Sequence, residues 1–165
     1  TDVGLRFKST RGRGGVVEGI YIRNIHMIDI PHEPLLFDLF YGGKAAGEET
    51  EEDLKGRMKT AIPQVTVETP SFRDIHISNI ICKGSGRAMF FNGLPEMPIK
   101  DVTVKDVIIS DAQEGIVISQ AEGVMLENIR IDTKGHTLDV KNAKNLKVEG
   151  KVYASIGAEG KTLDF

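Results

Sequence analysis

Ala121-Glu122-Gly123-Val124-Met125-Leu126-Glu127-Asn128-Ile129-Arg130-Ile131 is the stretch whose reading decides the fold of this chain. Val124, Leu126, Ile129 and Ile131 fall on one side of a strand, and Met125, Glu127 and Arg130 on the other. The apolar phase slips by one residue at Asn128, so the chain must bend there to return Ile129 to the inside. Asn and Asp tolerate left-handed backbone geometry, which suits such a corner. The same pattern, apolar-x-x-apolar-x-apolar-x-(Asn/Asp/Gly)-apolar-x-apolar, also begins at Val17, Phe72, Ile99 and Ala143. The first positions 17, 72, 99, 121 and 143 are 55, 27, 22 and 22 residues apart. The copy from Ala143 is imperfect, with Lys151 at an apolar position.

A repeat of this length with strand-type alternation indicates stacked coils, each too thin to bury its own apolar face. The expected fold is all-β: a right-handed parallel β-helix, forming one segment over residues 1–165. Asn24, Asn79, Asp106, Asn128 and Gly150 fill the corner slot. Stacked Asn side chains would hydrogen-bond as a ladder between coils, whereas ordinary turn residues would give the corner without the ladder. Second strands are expected at Pro34 to Leu39, Arg87 to Asn92, Gly115 to Ser119, Thr137 to Lys141 and Lys161 to Phe165. Each coil then carries about three short strands, roughly 4.8 Å from the next coil.

An inserted loop over residues 41–66 interrupts the period. Glu48, Glu49, Glu51, Glu52 and Asp53 precede Lys55, Arg57 and Lys59 there, a charge order that suits a short helix and its dipole. Solenoid insertions often lie on the binding side; a solvated lid is the other reading. The chain opens on strand-like sequence from Val3 to Lys8 with no polar or helical cap before it. It therefore reads as the C-terminal coils of a longer β-helix; an intrinsic lack of a cap is the alternative reading.

Bulk composition narrows the function. The formal net charge is −3 and the 21 basic residues are dispersed, so no nucleic-acid footprint is expected. No apolar run approaches the roughly 18 residues of a membrane span. The single cysteine, Cys82, reads as a small core residue. His26, His32, His76 and His136 lack metal-ligand spacing, and no metal site is expected.

The densest basic segment is Gly4-Leu5-Arg6-Phe7-Lys8-Ser9-Thr10-Arg11-Gly12-Arg13-Gly14-Gly15. On a strand, Arg6 and Lys8 project from one face about 7 Å apart, and Leu5 and Phe7 from the other. Two fixed cations suit a carboxylate, the guanidinium through a bidentate pair and the ammonium through a second contact. A solvated strand is the alternative reading of the same residues. The glycines that follow allow a tight turn but match no phosphate-loop pattern.

The segment Gly4 to Gly15, followed by Val16-Val17-Glu18-Gly19-Ile20-Tyr21-Ile22-Arg23-Asn24-Ile25, resembles the last signature block of glycoside hydrolase family 28, the polygalacturonases and related pectin-degrading enzymes. That block reads Arg-Ile-Lys, a Gly-rich turn, and an alternating strand ending in Asn. Phe7 replaces the middle Ile. The resemblance implies that Arg6 and Lys8 hold the carboxylate of a galacturonate unit. Leu35-Leu36-Phe37-Asp38-Leu39-Phe40-Tyr41 matches a further block, which implies that Tyr41 shapes a sugar subsite. The family's catalytic aspartates lie in an Asn-x-Asp block and an Asp-Asp pair, with a Gly-His-Gly histidine nearby. None of these motifs occurs in this chain.

What the resemblance implies is the C-terminal part of an inverting pectin-type glycoside hydrolase. This segment would supply the substrate clamp but no catalytic residue, and would be inactive alone. Its partners would be a galacturonan-like polysaccharide and the upstream half of the same protein, with no nucleic acid or membrane. No cofactor is implied, and the location would be periplasmic or secreted. A non-catalytic carbohydrate-binding or adhesin-like β-helix is the alternative.

Overall fold

The computed structural model describes residues 1–40 and 62–165. Among them all regular structure is strand: β1 (Leu5–Lys8), β2 (Val16–Val17), β3 (Ile20–Ile30), β4 (Leu35–Asp38), β5 (Ser71–Asn92), β6 (Ile99–Glu122), β7 (Met125–Thr133), β8 (Leu138–Val148), β9 (Lys151–Ile156) and β10 (Lys161–Leu163). The helix expected within the 41–66 insertion falls at positions outside the described residues.

Pairing is parallel throughout the first eight strands. Ile20 lies beside Ile75, Ile75 beside Val102, and Val104 beside Leu126. Those steps of 55, 27 and 22 residues equal the spacings of the sequence repeat. Each tier is therefore laid in register on its neighbour, and residues at equivalent repeat positions stack.

Register is held by the corners. Asn24, Asn79, Asp106 and Asn128 have φ of 64°, 54°, 53° and 53°, and Gly150 has 83°. All five are left-handed, as the phase slip requires. Asn79 Nδ2 donates to Asn24 Oδ1 at 2.7 Å, and Asn128 Nδ2 to Asp106 Oδ1 at 2.7 Å. The corner column thus carries inter-tier hydrogen bonds at two of its steps. A second left-handed column, Gly19, Asp74, Asp101, Gly123 and Asn145, runs at the same spacings, and a third comprises Asp29, Gly84 and Asp111. Gly123 takes φ 70° where Asp74, Asp101 and Asn145 are also left-handed, and an added Cβ there would lie 2.5 Å from Asp101 Oδ1 and displace that side chain.

Inside, the stacking is aromatic as well as aliphatic. Phe7, Phe37 and Phe91 lie in register. Their rings stack at 4.7 and 4.8 Å with interplanar angles of 2° and 12°. Offset or stacked pairs add about 0.5–1.5 kcal/mol beyond the area they bury. Cys82 is fully buried, and burial pushes its thiol above the ordinary value.

The two ends differ. In the first tier Leu5, Phe7, Val17, Ile20, Ile22 and Ile25 are only partly buried. Beneath them Leu35, Phe37, Ile75, Ile77 and Ile80 are at most 1% exposed. At the far end the expected fifth copy does not continue the parallel course. Glu149 and Gly150 are both left-handed, at φ 45° and 83°. One such residue bends a strand into a corner, but two in succession match the φ > 0 pair of a type I′ hairpin turn and reverse the chain. β9 accordingly pairs antiparallel with β8, Val148 beside Lys151, which explains the lysine at the apolar position. β10 also returns antiparallel, Leu163 beside Leu138. The two strands end the parallel stacking, and Leu138, Val140 and Leu146 beneath them are no more than 1% exposed.

Phe37→Ala should cost about 3–5 kcal/mol in urea unfolding, because a fully buried ring leaves a cavity between two others. Asn79→Ala should cost roughly 1–2 kcal/mol through its left-handed backbone alone, and Asn79→Gly less than that.

Candidate functional site: a cationic strand edge

Arg6 and Lys8 lie on β1, the outermost strand of the sheet path. Parallel pairing with β4 places Arg6 beside Leu36 and Lys8 beside Asp38. Leu5 and Phe7 pack on the core, so strand alternation sends Arg6 and Lys8 together to the outer side.

Arg6 already grips a carboxylate. Its Nη2 donates to Asp2 Oδ2 at 2.6 Å, with both side chains open to solvent. That hydrogen bond, the leading cause, holds the Asp2 carboxyl below its ordinary range. Next to Lys8, Asp38 Oδ1 accepts from the Phe40 backbone N–H at 2.9 Å and from Asn92 Nδ2 at 3.0 Å. Asn92 is 3% exposed, so its amide fixes the Asp38 carboxylate from within the fold.

The Gly-rich turn after the strand is anchored at several points. Arg13 N–H donates to Thr10 O, while Gly12 and Gly14 N–H both donate to Glu68 O at 3.0 Å. Gly14 has φ 62°, and an added Cβ would lie 2.1 Å from Val67 O. Arg11 Nε and Nη2 clamp Glu96 at 2.5 and 2.8 Å, and its guanidinium lies 5.1 Å from the Phe40 ring centre. The Glu96 side chain is 3% exposed. Burial raises its pKa, but the Arg11 hydrogen bond and charge, with a backbone hydrogen bond, outweigh that and leave it lowered.

A second charged cluster lies two tiers along the same face. Arg87 donates to Glu114 at 2.8 Å and to Glu33 at 3.2 Å, with its guanidinium 4.7 Å from the Phe90 ring centre. Phe90 is in register with Leu36, the neighbour of Arg6. Burial pushes the Glu33 carboxyl above its usual value, against the opposing charges of Arg87 and His32.

Of the expected site residues, the structure brings Arg6 and Lys8 to one face. Tyr41 lies outside the described residues. Sequence reading missed Asp2, Glu96 and the Glu33–Arg87–Glu114 cluster. The Arg87–Glu114 pair carried a signal, since the two are 27 residues apart, one repeat step. Glu96 carried none, because the Leu94–Pro98 connection stands outside the repeat. Among the described residues no group of three or more His, Cys, Asp or Glu is placed to hold a metal ion, and no helix is long and apolar enough to cross a membrane. A depression of about 420 Å³, lined by Asp29, Lys83, Ser85 and Asp111 among others, does not include Arg6 or Lys8.

Comparison with family models, curated proteins and solved structures finds no match to this chain.

The two shifted glutamates act in opposite directions on acid stability. Glu96 is depressed on folding, so its contribution is present at neutral pH and is lost as pH falls through its folded value. Glu33 is raised, so its contribution is present below its unfolded pKa and is lost as pH rises through its folded value. Glu96→Gln should therefore flatten the loss of stability on acidification, and Glu33→Gln should steepen it. Urea midpoints between pH 7 and pH 3 would check both.

Proposed function

We propose that this chain is part of a right-handed parallel β-helix, the C-terminal portion of a polygalacturonase-like glycoside hydrolase, whose Arg6 and Lys8 hold a galacturonate carboxylate. The in-register parallel pairing of successive repeats supports the helix, and the strong preference for right-handed parallel crossovers supports its hand. The observation that carries the functional reading is the pairing of Arg6 with Asp2. A guanidinium on an outer strand edge, two residues from a lysine on the same side, already accommodates a carboxylate.

A uronate would displace Asp2 and take its place. The guanidinium gives a planar donor fork and the lysine a compact second charge. Asp38 beside Lys8, held by the buried Asn92 amide, offers carboxylate oxygens to sugar hydroxyls, and the Arg11–Glu96 clamp keeps the following turn in place. This segment binds and orients. An inverting hydrolysis also needs an acid and a base carboxylate about 6.5–9.5 Å apart on either side of the scissile bond, and those come from the upstream half of the same protein. The half-covered first tier supports that arrangement, since Phe7 and Ile22 would be sealed by a further coil laid on them. A galacturonan-like polysaccharide is the substrate, no cofactor takes part, and the protein works in the periplasm or outside the cell.

In the intact enzyme, Arg6→Ala or Lys8→Ala should raise KM on polygalacturonate, or lower turnover, by about tenfold or more, the worth of one charge-assisted hydrogen bond. Asp2→Asn should tighten uronate binding by removing the competing carboxylate. Kinetics unchanged in both cation variants would overturn the clamp. Oligogalacturonate binding without hydrolysis by the intact protein would favour the non-catalytic, carbohydrate-binding reading.

A further inference from the structure

We propose that His136 and Asp164 form a pH-dependent latch on β10, the strand that closes the far end of the stack. The geometry is a two-point grip on one carboxylate. Asp164 Oδ1 accepts from the Thr137 backbone N–H at 3.0 Å, and Asp164 Oδ2 meets His136 Nδ1 at 3.0 Å. Both contacts tie the residue just after β10 to the two residues just before β8.

Apart from these contacts β10 is lightly held. It pairs with β8 through Lys161 beside Val140, Thr162 beside Asp139 and Leu163 beside Leu138. Lys161 and Thr162 are exposed, and Leu163 is only partly buried. So short an edge strand belongs to the low-stability end of a fold. The other side of the latch is fixed. Thr137 O accepts from the Ile116 N–H at 2.8 Å, and a Cβ added at Gly115 would lie 2.2 Å from His136 O and 2.6 Å from Thr137 O. When the latch opens, β10 is therefore the part that moves. Its departure uncovers the backbone edge of residues 138–140, the kind of unpaired edge on which another strand can add.

The charges on the two side chains set the working range. The hydrogen bond and charge of Asp164 raise the His136 imidazole above its ordinary value, with a smaller push from Asp139. The Thr137 N–H and then His136 hold the Asp164 carboxyl below its own. Asp132, Lys134, Glu114 of β6 and Lys161 of β10 are the other charged groups on the surrounding elements, and Glu114 is bound to Arg87. His136 contributes in full below its unfolded pKa, and that contribution is lost as pH rises through its raised folded value. Asp164 contributes in full above its unfolded pKa, and that contribution is lost as pH falls through its lowered folded value. The latch is shut at mildly acidic pH and loosens as the medium turns neutral and then alkaline. It depends on none of the sugar-binding assignments.

The test is hydrogen–deuterium exchange of the intact protein at pH 5, 6, 7 and 8, corrected for the intrinsic rate and read on peptides covering Thr137 and β10. Protection there is expected to fall by about two- to fivefold between pH 5 and pH 8, the worth of an exposed ion pair. Asp164→Asn keeps an acceptor for the Thr137 N–H but removes the charge, and should flatten the profile at the level reached by the native protein at pH 8. His136→Ala should flatten it in the same way. Both positions are exposed, and an unchanged far-ultraviolet circular dichroism spectrum verifies folding. Protection in the native protein that does not vary over this range overturns the proposal, as does a native-like pH profile in either variant. A loss that is equally large in β5 and β6 peptides overturns it in favour of general destabilisation.

Discussion

In-register stacking of equivalent residues is the constraint on which the rest of this structure depends. When a tier lies directly on the next, each side chain meets its own counterpart, so the chain must present compatible groups at a fixed sequence interval. Inside, that yields phenylalanine on phenylalanine and isoleucine on isoleucine or valine. Outside, it yields amide on amide at the corners and base beside acid along the flanks. The interval is maintained only if every tier turns at the same place, and the left-handed residues at the corners do this. A β-branched or bulky residue in such a slot would oppose the required φ, so Asn, Asp and Gly recur there.

Much of this architecture was readable from the residues, because stacking writes its period into the sequence. The phase slip at Asn24, Asn79, Asp106 and Asn128 located one corner column, and the repeat spacings equal the observed register. The parallel columns through Asp74 and Asp101, and through Asp29 and Asp111, obey the same spacing but were passed over. They lie at the margins of the apolar pattern, where no slip in phase marks them. The outer ion pairs were also encoded: Lys100 with Glu122 and Lys105 with Glu127 are each 22 residues apart. The far end was misread for a local reason. Gly150 fits the corner slot, and only the added left-handed turn of Glu149 converts a bend into a reversal. A single glutamate carries no sequence signal for that conformation.

The candidate site divides along the same line. Outward projection of Arg6 and Lys8 follows from strand alternation and needs nothing beyond neighbouring residues. Their immediate chemistry does not follow from it. Asp2 reaches Arg6 from outside the strand and Glu96 reaches Arg11 from a connection that belongs to no repeat, whereas Asn92 meets Asp38 as its register partner on the neighbouring strand. Partners drawn from within the period can be deduced by counting, whereas partners drawn from loops require the folded chain.

The uneven coverage of the two ends gives the fold a direction of resilience. Amide protons of β7 and β8, shielded beneath antiparallel strands, should exchange with solvent only through large-scale opening, while those of β1 and the early part of β3 should exchange through local fraying. The cationic pair thus rides on the loosest layer of the stack. The Arg6–Asp2 ion pair is therefore open to whatever is laid against that layer, and is buffered from events at the opposite end of the stack.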